Sequence, residues 1–205
     1  DSCLVGSEMC IRDRGERLAI SADSSATTSE LVDSIFGLDA LRAGVIEVDG
    51  HDIRDLSLVA LRSRVALVRG PELFPGCVFD NLRAANPSLS AEDAWAVLDH
   101  VGLHDSVKSL PSGLQTMLLA DGAPLTRSQA VALTVARAIA SQPSLLVLDR
   151  TLDYLDPGES ILLIERLSRA RDFSLLLVSD DPRMHAKMDR HLHISAGAPR
   201  SHEAA

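Results

Sequence analysis

Residues 15–38 read GERLAISADSSATTSELVDSIFGL. The first six are a short apolar run, predicted as a strand over 16–21. A polar loop follows, and the apolar segment LVDSIFGL predicts a helix from about Ser29 to Leu41. Strand, tight loop and helix form the layout of a phosphate cradle, in which backbone N–H groups at a helix start face an anion. Such cradles use glycines and a lysine, and SADSSATTSEL, residues 21–31, has neither. A second reading stands beside the first: the serines, threonines and Asp23 suit an ordinary capped helix start.

The same alternation continues along the chain. VIEVDGHDI, 45–53, alternates and holds Asp49-Gly50, a two-residue hairpin signal. Leu56–Arg64 reads as a short helix with Ser57 as N-cap, and RVALV, 64–68, as a strand. Residues 78–120 read as mostly helical, with a capping pattern at Ser90-Ala-Glu-Asp. Thr126–Ser141 is a long alanine-rich helix. SLLVLD, 144–149, and SLLLVSDD, 174–181, are nearly continuous apolar strands, the pattern of a sheet covered on both faces. A helix is predicted between them from Gly158 to Arg169. LHIS, 192–195, is a further strand, and the last ten residues read as a frayed tail. Strands alternating with helices give an α/β fold with a mainly parallel core sheet. The apolar strands ending at Ser21, Asp149 and Ser179-Asp180 should bring their carboxyl ends to one crevice.

Composition narrows the function. The net charge of −9 argues against a nucleic-acid partner, because phosphate backbones select basic surfaces. Only two lysines occur, Lys108 and Lys187, and neither follows a glycine-rich loop. LVGSEMCIRD, Leu4–Asp13, has no helical or strand periodicity and resembles the translation of a transposase adapter used in making sequencing libraries. Residues 1–14 are therefore set aside as non-native, and Cys3 and Cys10 with them. Cys77 then remains alone, which leaves no internal disulfide and fits a reducing compartment. His51, His100 and His104 are expected on exposed surfaces, and Trp95 in helix packing.

The order GERLAI, IEVDGHDIRDLSLVALRSRVALV, LFPGCVFDNL, SLPSGLQTML, APLTRSQAVALTVARAIASQPSLLVLD, YLDP and SLLLVSDD resembles the nucleotide-binding domain of an ATP-binding cassette (ABC) exporter from Gly15 to about Ile194. The resemblance implies a P-loop NTPase-like cassette spanning 15–205, with a small antiparallel β part and a helical subdomain at about 76–128. It implies ATP and Mg²⁺ as cofactors. It also implies a transmembrane domain and a second cassette as partners, at the cytoplasmic face of a bacterial inner membrane.

The motifs depart from the family pattern where they meet nucleotide. The phosphate loop overlays on Ala22–Ser29, with Ala22 and Thr27 at glycine positions and Thr28 at the lysine position. Ser25, within the loop, completes the expected nucleotide contacts on that side. Ser29 matches the Mg²⁺-binding hydroxyl and Asp149 the Mg²⁺-associated carboxylate. The catalytic glutamate is replaced by Arg150, which cannot accept a proton, and the switch histidine by Asp180. The signature motif overlays on Leu125-Thr126-Arg127-Ser128-Gln129, where Gln129 is retained and Arg127 replaces a glycine. Arg69-Gly70 stands at the Q-loop, and Asp153-Tyr154-Leu155-Asp156 at the D-loop. A cation and an anion on neighbouring strand ends suggest a salt bridge between Arg150 and Asp180. The implied function is coupling of ATP binding and hydrolysis to export, impaired in hydrolysis. The alternatives are a non-catalytic partner cassette and a decayed fragment without activity.

Overall fold

The computed structural model describes residues 15–41, 44–48, 50–170 and 172–195, and the backbone of 200–202. The adapter-like run and Asp49 lie outside them. In chain order the strands and helices begin with β1 (Arg17–Ala22), α1 (Ser25–Ile35), β2 (Glu47–Val48), β3 (His51–Asp52), α2 (Leu58–Arg62) and β4 (Val65–Val68). Next come β5 (Gly76–Cys77), α3 (Val78–Arg83), α4 (Ala91–His100), α5 (His104–Lys108), β6 (Met117–Leu118) and α6 (Arg127–Ala140). The chain continues through β7 (Leu145–Asp149), α7 (Pro157–Leu167), β8 (Ser174–Val178), α8 (Pro182–His185), β9 (Arg190–Ile194) and β10 (Arg200–His202).

Two compact units share these elements. The first comprises Asp1–Leu67, Pro143–Arg150 and Arg171–Ala205. Its sheet has the order β10-β9-β1-β8-β7-β4. Strands β9, β1, β8 and β7 are parallel, in a register that aligns Ile20, Val178 and Asp149. The apolar runs dictate this: Leu146, Leu148, Leu175 and Leu177 are as fully buried as Leu176 and Val147 on the other face. Leu18, Ile20, Val147, Leu176 and Val178 meet Val32 and Ile35 of α1 in one cluster, joined by Ile46, Val48 and Ile53 from the hairpin region. The hairpin register pairs Val48 with His51 across two residues, and Gly50 takes φ +74, which its missing Cβ permits.

Three boundaries differ from expectation, the first being the end of α1, which stops at Ile35 and not near Leu41, just before Gly37 takes φ +69. Helix α1 begins at Ser25, not near Ser29, because Ser24 caps it: its hydroxyl accepts from the Ala26 N–H at 3.2 Å. The tail contains a strand where fraying was expected. β10 pairs antiparallel with β9, matching Ser201 to Leu192, and so covers backbone groups that an edge strand would leave open.

The second unit comprises Val68–Gln142 and Thr151–Ala170, and residues 76–128 all fall within it. Helices α3 and α4 pack on α6 around Leu82, Leu98 and Leu133. Most helix starts in either unit carry a side-chain cap, α5 being without one. Ser57 caps α2 as expected, and Ser90 caps α4 through the Asp93 N–H at 3.0 Å. At α3 the Cys77 sulfur accepts from the Asp80 N–H while the Asp80 carboxylate accepts from the Cys77 N–H. Burial, then the neighbouring Asp80, push the Cys77 thiol above its ordinary range, as suits a packed cap and not a nucleophile. His51 and His100 are exposed as expected. His104 is half-buried instead, edge-on to Trp95 at 5.2 Å between ring centres. Among the described residues no helix is long and apolar enough to cross a membrane.

Candidate functional site

In the first unit, the carboxyl ends of β1, β8 and β7 lie side by side, as the three apolar strands predict. The Ser179 N–H donates to Ile20 O and the Arg150 N–H to Val178 O, at 3.1 and 3.2 Å. Ala22 ends β1, and α1 starts three residues later. The Thr27 N–H donates to Ser24 O at 3.1 Å, and the N–H groups of Thr28 and Ser29 lie inside the helix. Ser25 and Thr27 are exposed and Ser29 is half-buried. Thr28 is only 1 % exposed, and its hydroxyl donates to Ser25 O at 3.0 Å. The residue at the lysine position therefore turns into the protein and bonds its own helix. No residue from 16 to 36 has positive φ, so this turn makes no use of the left-handed backbone that glycines allow.

Asp149 closes β7 and is 5 % exposed. Arg150 follows it with φ +52, an uncommon conformation for a long side chain. The expected bridge is present, with Arg150 Nη2 3.2 Å from Asp180 Oδ2. Arg150 Nε is buried without a hydrogen-bond partner. The two side chains are 36 % and 59 % exposed, so solvent screens the pair. A double-mutant cycle of Arg150→Ala and Asp180→Ala, read by urea unfolding, is expected to give a coupling of about 0.5 kcal/mol. The bridge orders the two strand ends more than it stabilises the fold.

The second unit places the remaining motif residues. Gln129 Oε1 accepts from the Thr126 N–H at 2.9 Å, and Thr126 Oγ1 accepts from the Gln129 N–H, so the retained glutamine closes the capping box of α6. Arg127 lies over the Tyr154 ring at 5.1 Å. That ring in turn lies against Gly70, where an added Cβ would stand 3.0 Å from it. At the start of α7 the Asp156 N–H donates to Glu159 Oε2 at 3.3 Å. A cavity of about 200 Å³ is bordered by Ser128, Gln129, Leu155, Glu159, Leu162 and Arg166.

These residues do not fit a magnesium–triphosphate. The cradle positions carry no cation, the N–H groups of Thr27, Thr28 and Ser29 are engaged in α1, and a guanidinium paired to a carboxylate stands where a base and a histidine are expected. Among the described residues no group of three or more His, Cys, Asp or Glu could hold a metal ion. Sequence reasoning overlooked one cluster, formed by His185, His191 and His193 with Ser21 and Asp23. The His-x-His spacing at 191–193, placing both rings on one face of a strand, was its only local signal.

Comparison with known proteins gives a consistent set. A family model described as ABC transporter matches residues 8–152. The chain is 32 % identical over 166 residues to the alpha-factor-transporting ATPase of Saccharomyces cerevisiae, covering 80 % of this chain and 13 % of that protein. It is 30 % identical over 175 residues to ABC transporter C family member 3 of Dictyostelium discoideum, covering 85 % and 12 %. The chain thus spans only a small part of the length of these relatives. Its fold matches the structure of a bacterial Atm1-family ABC exporter with ATP bound, with a TM-score of 0.81 at 21 % identity, over 92 % of this chain and 34 % of that one.

Proposed function

We propose a function on one premise: the chain belongs to the ABC transporter family, as an exporter-type ATP-binding cassette. On this reading it is a cassette that takes part in transport without hydrolysing ATP at a competent rate. Its partners are a transmembrane domain and a second cassette, and it works at the cytoplasmic face of the membrane that holds them. Thr28 carries the proposal. A hydroxyl buried in α1 cannot bring a positive charge to a triphosphate, whatever the loop does. The Arg150–Asp180 pair supports it, since a guanidinium cannot take a proton from water and the Asp180 carboxylate is engaged with it.

ATP and Mg²⁺ remain the family's cofactors, and Ser29 and Asp149 are the residues of this chain that correspond to the metal side. No catalytic step is assigned to them here. The loss of a general base alone removes roughly 10²- to 10⁴-fold in rate. Calorimetric titration with Mg-ATP is expected to show no binding in the micromolar range, and phosphate release is expected at background. Micromolar affinity together with phosphate release abolished by Asp149→Asn would overturn the reading. Co-purification with an intact cassette distinguishes a working partner from an inert fragment.

A further inference from the structure

The histidine cluster lies at the β1–α1 turn, wholly inside the first unit. Ser21, 6 % exposed, stands between two rings: its Oγ is 2.8 Å from His191 Nε2 and 2.9 Å from His193 Nδ1. The far nitrogen of His193, Nε2, is 3.0 Å from Asp23 Oδ1. His185 stacks on His191 with ring centres 3.8 Å apart, and its Nε2 is 2.7 Å from Ser179 O. The backbone closes the same loop, because the Asp23 N–H donates to Ile194 O at 3.2 Å.

Hydrogen-bond arithmetic gives this chain a direction. Ser21 has one hydroxyl proton and two ring nitrogens to satisfy. With both rings neutral, His193 can keep a proton on Nε2 for Asp23 only by accepting from Ser21 at Nδ1. His191 must then bring its own proton to Nε2. A proton added to His193 changes the pattern: Nε2–H and Nδ1–H both donate, to the Asp23 carboxylate and to Ser21. The Ser21 hydroxyl is released to donate to His191, whose proton moves to Nδ1. The bond to Asp23, a neutral N–H on a carboxylate before, becomes an ion pair.

We propose that Asp23, His193, Ser21 and His191 form a proton-operated clasp that fastens the β1–α1 turn to β9 when His193 takes up a proton. The surrounding charges leave this role to Asp23. Asp181 on the α8 side is held by Arg183 at 2.6 Å, Asp180 by Arg150, and Glu16 by Arg190 at 3.0 Å. The Asp189 carboxylate accepts from the Arg17 N–H, and β10 sets Arg200 and His202 in register with His193 and His191.

Amide exchange of the 205-residue chain, measured by NMR and corrected for intrinsic rate, tests it without nucleotide. Its outcome is therefore independent of the cassette's catalytic status. Protection of the Asp23 N–H is expected to rise roughly fivefold from pH 8 to pH 6, the scale of one strengthened hydrogen bond. In His193→Gln and Asp23→Asn the rise is expected to vanish. Both side chains are substantially exposed, at 38 % and 58 %, so the variants should fold. Ring nitrogen shifts of the unaltered chain give a second readout, with both His193 nitrogens carrying protons at pH 6. Unchanged protection in the unaltered chain, or a rise that persists in His193→Gln, would overturn the clasp.

Discussion

Thr28→Lys is expected to lower the unfolding free energy by about 3–5 kcal/mol, the usual cost of an uncompensated charge in an interior. The substitution puts back the family's lysine, so a simple motif argument expects a gain of nucleotide affinity. The structure argues for the reverse. Position 28 is 1 % exposed on the inner side of α1, and Val32, one turn further on, is fully buried. An ammonium there has to reach water by displacing the helix start or remain buried and unpaired. Urea unfolding with and without Mg-ATP decides the matter. A variant that keeps its midpoint and binds Mg-ATP with micromolar affinity would mean that the first turn of α1 opens readily into a cradle.

Leu148→Ala is expected to cost about 2–5 kcal/mol, through lost burial and the cavity left behind. Leu148 is 0 % exposed and sits opposite Leu177 in the register of β7 and β8. Both strands are interior to the sheet, so the backbone has little freedom to close the gap. The denaturation midpoint should fall with an unchanged m-value, since the surface exposed on unfolding is nearly the same. A loss below about 1 kcal/mol would show that the sheet repacks around position 148.

The parts of the fold that could be read from residues alone are those whose signal is local. SLLVLD and SLLLV are unbroken apolar runs, and both became central strands. Ser57, Ser90 and Thr126 announced helix starts because a cap needs only the residue and the few that follow. The start of α1 was misplaced for an instructive reason. Matching SADSSATTSEL to a cradle reserves its first residues for a loop, whereas Ser24 caps a helix that absorbs most of them. The Arg150–Asp180 contact was legible because two charge swaps fell on strand ends already known to be neighbours. The clasp was not, since Ser21 and His191 are 170 residues apart and neither belongs to a motif. Position β10 was hidden too: nothing in RSH marks a strand until an open edge is there to pair with it.

The stack of Arg127 on Tyr154 has a practical consequence. Tyr154 is the chain's sole tyrosine and Trp95 its sole tryptophan. Each chromophore thus reports one neighbourhood: the phenol that of Gly70 and Arg127, the indole that of His104. Near-ultraviolet spectra of the unlabelled protein can follow the two places separately, so docking of a partner near the signature segment would carry its own optical mark.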